Sequence, residues 1–368
     1  MKDLKGQKFV VPKFKHHITE YIPEALSSIG LNKSGLIDDE YDKCILVILD
    51  GFGHERKSNI GVLDQLGMQV HEFGSVLPSV TTSALSSIST GKMPGEHGVI
   101  GTTFWMPQAG EQMSALSFLN ANNYPVDIDP SNLLLTETIP MQLREDKIKT
   151  DVILSEDCQS GLTEAIHQGS EIHFTSGIGG QFEALSKFLS SKKKLAFSYF
   201  KNPDYHFHLG LSDDATRCQL NAIFSMFRRL NKHSKAKKTC LILAGDHGGI
   251  NFSSNLDLSK HSQLFKTEIK TGYRYSNLFT YPSTQKKAIK VLKDCWVFDG
   301  QKALKKGIFG RTHEESFKRI GDLAVFAQKE MCTTSGNPPL KGGHGSITHE
   351  ELSTAFAFGR LSEFKAEV

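Results

Sequence analysis

Four places along the chain carry carboxylate or imidazole side chains just past an apolar run or inside a glycine-rich loop. Asp50 follows CILVIL and opens Asp-Gly-Phe-Gly; Asp204 and His208 fall in KNPDYHFHLG; Asp246 and His247 fall in AGDHGG; His344 falls in KGGHGSIT. Each has an ordinary reading. Asp50 and the Asp246-His247 pair can be turn residues, Asp204 and His208 a solvated turn, and His344 an incidental loop histidine. Their common setting points to more. Aspartate and histidine with no cysteine among them suit zinc or a similar divalent ion. Six such groups are too many for one tetrahedral ion and about right for two. A pair of ions about 4 Å apart clamps the attacking and leaving oxygens of an in-line displacement.

A displacement needs a nucleophile, and residues 77–101, LPSVTTSALSSISTGKMPGEHGVIG, present one. Proline and small residues lead into Thr81 and Thr82, then a short helix-like turn with Leu85 and Ile88 inward, then Gly, Pro and Gly punctuation. The free N–H groups and positive dipole end of such a helix suit an incoming phosphate. A hydroxyl alone is a poor nucleophile near neutral pH, and no lysine or histidine lies close enough in sequence to activate it. One ion of a pair can hold Thr81 as its alkoxide.

The elements that would position these groups alternate strand and helix. Residues 44–49 form a continuous apolar run of the kind buried on both faces, with Asp50 at its carboxyl end, where open α/β sheets place their ligands. Residues 61–72 read as helix and 73–77 as strand. The pattern weakens from 102 to 170, where TTFWMPQAGEQ reads as loop and LTETIPMQLRED as mixed. Phe104 and Trp105 are a platform for a flat leaving group or, the favoured reading, an anchor in core or loop. Phe182, Leu185, Phe188 and Leu189 mark an amphipathic helix before the strand LAFSYF. Ser212, Asp213 and Asp214 cap a helix whose inner face is Leu220, Ile223, Phe224, Phe227 and Leu230, and a strand at 240–244 ends in GDHGG. TGYRYSNLFTYP and RIGDLAVFA read as strands around the helix STQKKAIKVLKD, and Thr348 caps a last short helix.

Strand, helix and strand in this order give parallel βαβ units. The expected fold is a three-layer α/β/α sandwich with a central, mostly parallel sheet and a smaller inserted α+β block. The expected division is an adapter at 1–43, a hydrolase core at 44–250, the insertion at 251–330 and a return to the core at 331–368. In a parallel sheet all carboxyl strand ends open on one edge, so Asp50, Thr81, Asp204 and Asp246 should converge there.

The 368 residues, 39% hydrophobic and 23% charged, read as an ordinary globular protein. A net charge of +3 is too small to argue for nucleic acid or membrane, and the lysines at 192–194 and 232–238 mark solvated helix ends. Six cysteines occur without a CxxC pair; Cys44, Cys218 and Cys240 read as buried small hydrophobes, which suits a reducing compartment. The basic start MKDLKGQKFVVPKFKHH lacks the apolar centre of a secretory signal, and no segment approaches a membrane span, so a cytoplasmic location is expected.

LDGFG, PSVTTSALSSISTGKMPGEHGV, NPDYHFHLG, AGDHGG and GGHGSIT, in this order, resemble the metal-ligand motifs of the alkaline phosphatase superfamily in its nucleotide pyrophosphatase/phosphodiesterase branch. GIFG and RIGDL also resemble bacterial members, and the likeness runs from Cys44 to Leu352. The resemblance implies two divalent metal ions, zinc in the first place. Asp50, Thr81, Asp246 and His247 would hold one, and Asp204, His208 and His344 the other. Thr81 rather than Thr82 matches the nucleophile, by its spacing to Thr90-Gly91 and His97-Gly98, while the Thr82 N–H would help hold a non-bridging phosphate oxygen. The implied mechanism is a two-step displacement through phosphothreonine, acting on a small phosphodiester or nucleotide. Thr102 stands where well-known members carry a phosphate-contacting asparagine. No arginine lies near Thr81, which leans toward a diester over a dianionic monoester, unless Arg274 or Arg311 arrives from the insertion. A phosphomonoesterase on the same scaffold, a silent metal-containing binding protein and a nucleic-acid-processing component remain the other readings.

Overall fold

With no polar residue between 44 and 49, the chain can bury both faces of one strand, and in the computed structural model it does: β1 (Lys43–Leu49) is buried throughout. The structure describes residues 1–32, 35–37, 41–55, 57–267, 272–336 and 340–367. Six further strands join β1: β2 (Gln69–Gly74), β3 (Thr150–Ser155), β4 (Glu171–Thr175), β5 (Leu195–Phe200), β6 (Thr239–Ala244) and β7 (Ser353–Arg360). Their spatial order is β2-β7-β6-β1-β5-β3-β4. β6, β1, β5, β3 and β4 pair in parallel, and β7 runs antiparallel to both its neighbours. The sheet is therefore mostly parallel, as expected.

Side chains alternate across a strand, so β1 supplies two cores at once. Cys44, Leu46 and Ile48 face Ile22 and Ala25 of α1 (Tyr21–Ser28) and Ile88 of α2 (Thr81–Thr90). Ile45, Val47 and Leu49 face the opposite layer. Besides the short α3 (Gly161–Ile166) and α5 (Asp204–Leu209), the long helices are α4 (Gly177–Ser190) and α6 (Asp213–Leu230), and these form that second layer through Leu185, Phe188, Leu220, Ile223 and Phe227. Ser212 caps α6 by accepting from the Ala215 N–H, and Thr348 caps the last short helix from the Glu351 N–H, both as their sequences predict. The result is a central sheet between two helical layers, with smaller sheets beside it.

Several local readings shift. The helix expected over 61–72 occupies Lys57–Gln65 instead. Gly67, at φ +63°, takes a left-handed turn, and pairing with β7 then draws 69–74 into a strand where 73–77 was expected. The segment read as loop forms a hairpin of Thr103–Met106 with Glu111–Ser114, closed by Gly110 at φ +68°. Phe104 is fully buried beneath the Arg319 guanidinium, 5.6 Å from its ring centroid, and Trp105 leans on Phe279, which is the anchor role. Cys218 lies on the solvent side of α6 rather than inside. Lys193 is no free helix end either, since its ammonium pairs with Asp151 and Glu171.

After β6 the chain builds a three-stranded antiparallel sheet from Tyr275–Leu278, Leu323–Ala327 and Cys295–Asp299, with the second strand central and the helix Gln285–Val291 nearby. Thr271, the first residue of the strand read from TGYRYSNLFTYP, lies outside the described residues. Arg274 ties this region to the loop that carries His344. Its Nε and Nη2 donate to the two carboxylate oxygens of Glu351 at 2.9 and 2.8 Å, and Nη1 donates to the carbonyls of Lys329 and Met331. Both side chains are fully buried.

Candidate metal centre

β6, β1 and β5 are neighbours, so their carboxyl ends lie side by side. Asp50 leaves β1, Asp204 opens α5 four residues beyond β5, and Asp246 lies two residues beyond β6. The backbone knits these ends together: the Asp204 N–H donates to the Asp50 carbonyl at 2.8 Å, and the Gly51 N–H donates to Asp246 Oδ1 at 3.0 Å. Gly51 sits at φ +72°, and a Cβ there would lie 2.8 Å from that of Asp204. Only glycine lets the two strands' loops approach this closely.

On α5, Asp204 and His208 stand four residues apart and so share a helix face, with His208 Nε2 2.7 Å from Asp204 Oδ2. His344 reaches the same carboxylate oxygen from its loop at 3.7 Å. His247 Nε2 lies 3.2 Å from Asp50 Oδ1, 3.3 Å from Asp246 Oδ2 and 3.1 Å from Thr81 Oγ1. The His247 and His344 rings stack at 3.5 Å between centroids. All seven groups singled out in the sequence, Asp50, Thr81, Asp204, His208, Asp246, His247 and His344, thus meet in one place.

The two threonines differ. Thr82 is buried and its hydroxyl donates to the Gly101 carbonyl at 3.1 Å, so its side chain is turned away. Thr81 opens α2 with its hydroxyl at the cluster. Ala84 N–H to Val80 O is the first bond of the helix, so the amides of Thr81, Thr82 and Ser83 precede it.

Three observations test whether these residues could hold cations. Asp50 Oδ1, Asp204 Oδ1 and Asp246 Oδ2 are buried without a hydrogen-bond partner. His208, His247 and His344 each donate Nδ1–H to a backbone carbonyl, those of Gly342, Gly248 and Ser79, at 2.8, 2.9 and 2.7 Å. In the neutral ring that fixes one tautomer, and it turns every Nε2 toward the carboxylates, where a cation would take the place of a proton. Lastly, no lysine or arginine among the described residues pairs with the three aspartates. Donor atoms gather in two sets, Asp204, His208 and His344, and Asp50, Asp204 and His247, each within 4.8 Å. The residues fit two cations.

Electrostatics agree. Burial, and then the Asp204 charge, pushes Asp50 up to about 7; burial, and then the Asp50 charge, pushes Asp246 up to about 7. Burial works to raise Asp204 as well, but His344 and His208 hold it well below the usual carboxylate range. Burial works to lower His208, yet its bond to Asp204 lifts it to about 9. Carboxylates pushed so far toward neutrality lack a positive charge that divalent ions would supply.

Tyr199 was not foreseen. Burial and the Asp50 charge keep its hydroxyl protonated, and it donates to Asp50 Oδ2. The alternation of LAFSYF places it on one face of β5 with Leu195 and Phe197, a signal that a lone tyrosine does not advertise. Neither Arg274 nor Arg311 serves the centre: Arg274 is spent on Glu351, and the cavity beside Thr81 has no arginine among its described lining residues. Thr102 does not line that cavity. Among the described residues, no helix is long and apolar enough to cross a membrane.

The profile of the family described as type I phosphodiesterase / nucleotide pyrophosphatase matches residues 44–346. Among curated proteins, none matches the sequence. The fold is similar to that of murine ectonucleotide pyrophosphatase / phosphodiesterase 5, solved as an inactive variant in complex with AMP, at 13% identity and TM-score 0.67 over 87% of this chain and 88% of that one. The human counterpart gives 15% identity and TM-score 0.67 over 86% and 87%. Phosphonoacetate hydrolase from Sinorhizobium meliloti 1021, in complex with phosphonoacetate, gives 16% identity and TM-score 0.61 over 88% and 91%. At such identities the likeness is one of fold.

Proposed function

The chain belongs to the type I phosphodiesterase / nucleotide pyrophosphatase family of hydrolases, and from that premise we propose that Thr81 is the nucleophile of a two-metal hydrolysis of phosphodiester or pyrophosphate bonds. Asp50, Thr81, Asp246 and His247 would hold one ion and Asp204, His208 and His344 the other, with zinc the ion that this donor set favours. The cations would supply the charge that lets a threonine hydroxyl ionise near neutral pH and that offsets charge growing on the phosphoryl oxygens.

The rest falls to the chain. Thr81 Oγ1 forms the new bond to phosphorus as the ester oxygen departs on the opposite side, leaving phosphothreonine, and water then cleaves that ester and restores the hydroxyl. The Thr82 amide, ahead of the first helical bond of α2, donates to a non-bridging oxygen. Tyr199 holds Asp50 by one oxygen and leaves the other turned to the centre. The observation that carries this reading is the Thr81 hydroxyl 3.1 Å from His247 Nε2, among three buried aspartates with unsatisfied oxygens. The engaged Arg274 and a cavity without arginine among its described lining residues favour a diester, which carries one charge less than a monoester. Chromogenic diester and monoester analogues, assayed side by side with added zinc, test it. Diester turnover that Thr81→Ala abolishes is the expected result; monoester preference would overturn the substrate class, and no turnover with metal bound would overturn the hydrolase reading.

A further inference from the structure

A cavity of about 560 Å³ opens beside Thr81, Asp50 and Asp204 and runs between the central sheet and α2 and α3. Ile48, Ile88, Leu154, Leu162 and Phe197 wall its depth, and its mouth carries two exposed apolar side chains, Leu116 and Tyr205. The polar side chains that reach it are mostly occupied elsewhere. Ser89 Oγ donates to the Ile166 carbonyl, Ser198 Oγ to that of Ile153 at 3.0 Å, and Thr163 Oγ1 to that of Cys158 at 2.5 Å. Lys201 Nζ is held by the Asp157 carbonyl and carboxylate at 2.7 and 2.9 Å. Burial lowers His167 to about 4, so its ring is neutral.

A wall of this kind offers carbon and few free hydrogen-bonding edges. A nucleobase pushed into it would leave its own donors and acceptors unpaired, which is costly in a dry site. Phe104 and Trp105, the aromatic pair that could have stacked a base, lie outside the lining. A flexible aliphatic chain needs no partner and gains with every methylene removed from water. Building on the hydrolase reading for the chemistry at Thr81, we propose that this cavity holds the aliphatic chain of an amphiphilic phosphate ester, with the phosphoryl group at Thr81. The exposed Leu116 and Tyr205 give such a chain an apolar way in.

Linear alkyl and branched prenyl chains share this chemistry, and one series separates them. Methyl, hexyl, dodecyl and farnesyl p-nitrophenyl phosphodiesters are assayed with the metal-loaded protein below their micelle-forming concentrations, and the matching non-hydrolysable phosphonates are titrated by calorimetry. Both kcat/KM and phosphonate affinity should rise by up to about fourfold per methylene until the cavity is full, with an increasingly negative heat-capacity change. Ile166→Trp, or Leu162→Phe should the first not fold, should collapse the long-to-short ratio within the same variant, a readout independent of metal occupancy. A flat series in both measurements overturns the inference, and if the methyl ester is still hydrolysed the hydrolase reading stands. Rising phosphonate affinity with no turnover of any ester does the reverse: it supports the cavity's occupant and removes the hydrolase reading. A dodecyl ester preferred over farnesyl assigns a linear chain, and the opposite order a prenyl one.

Discussion

Two acid-and-imidazole clusters sit at opposite edges of the same sheet. At the carboxyl edge are Asp50, Asp204, Asp246 and three histidines; at the amino edge, Asp151, Glu171 and His173 gather where β3 and β4 begin. By residue type and spacing either could hold a cation. The difference is the counter-charge. Lys193 reaches across the amino-edge cluster and donates to Asp151 at 2.5 Å and Glu171 at 2.6 Å, and His173 Nε2 lies 2.8 Å from Asp151. At the carboxyl edge no lysine or arginine plays that part among the described residues, the histidines offset chiefly the Asp204 charge, and one oxygen of each aspartate is left without a partner. Composition makes both clusters; an unanswered charge marks one of them as a site. The Arg274–Glu351 pair is a third case, a buried charge answered so fully that it fastens the start of the three-stranded sheet to the His344 loop.

The largest effect expected is on the carboxyl edge. Thr81→Ala should lower kcat/KM for a diester by at least about a thousandfold while leaving the melting temperature near that of the wild type; a small loss would move the nucleophile elsewhere. Next comes the answered charge. Arg274→Met strands a buried Glu351 carboxylate and should cost about 3–5 kcal/mol of unfolding free energy in urea titrations, and a loss under about 1 kcal/mol would show that the pair is not the fastening described. Removing metal should then separate the two edges. Chelation should destabilise the protein by about 2.7 kcal/mol for each site that had been a hundredfold saturated, reversed by zinc, and Asp246→Asn should remove the share of one site from that response.

Lys193→Met probes the comparison directly. It should cost about 1–3 kcal/mol, because the buried Asp151 loses its ammonium partner and keeps only His173, and should leave two ions bound per chain by elemental analysis. A third ion in this variant would mean that the lysine alone distinguishes the clusters. The smallest effect concerns acid. Burial works to raise Glu351, but Arg274 outweighs it and holds the carboxyl below its usual range. A depressed folded value contributes stability that is fully present above the unfolded pKa of about 4.3 and is lost as pH falls through the folded value. The double variant Arg274→Met, Glu351→Leu should therefore show a shallower fall in stability below pH about 4 than the wild type.

The sequence was most legible where strands are buried on both faces. CILVIL, LAFSYF and the run before AGDHGG could be read because a central parallel strand admits almost no polar residue. β3 and β4 escape the pattern because Asp151, Glu171 and His173 break their apolar runs; Glu171 and His173 stay accessible to water on the edge strand, and the buried Asp151 is answered by Lys193 and His173. The strand at Gln69–Gly74 was hidden because its partner, β7, is distant in sequence, whereas the hairpin of Thr103–Met106 with Glu111–Ser114 is a local pairing whose short strands carry little apolar pattern.

For the centre, the sequence by itself determined which side chains were available and that three of the aspartates follow strands, which in a parallel sheet places them on one edge. The resemblance of its motifs to the family also implied Thr81 rather than Thr82 as the nucleophile. Only the tertiary structure decided that β6, β1 and β5 are adjacent, that Arg274 is bound to Glu351 rather than free, that Tyr199 grips Asp50, and that an apolar cavity opens beside Thr81. The reason is physical. Side-chain chemistry and strand polarity are local properties written residue by residue, whereas adjacency, counter-charge and empty volume arise between segments hundreds of residues apart and exist only once they are packed.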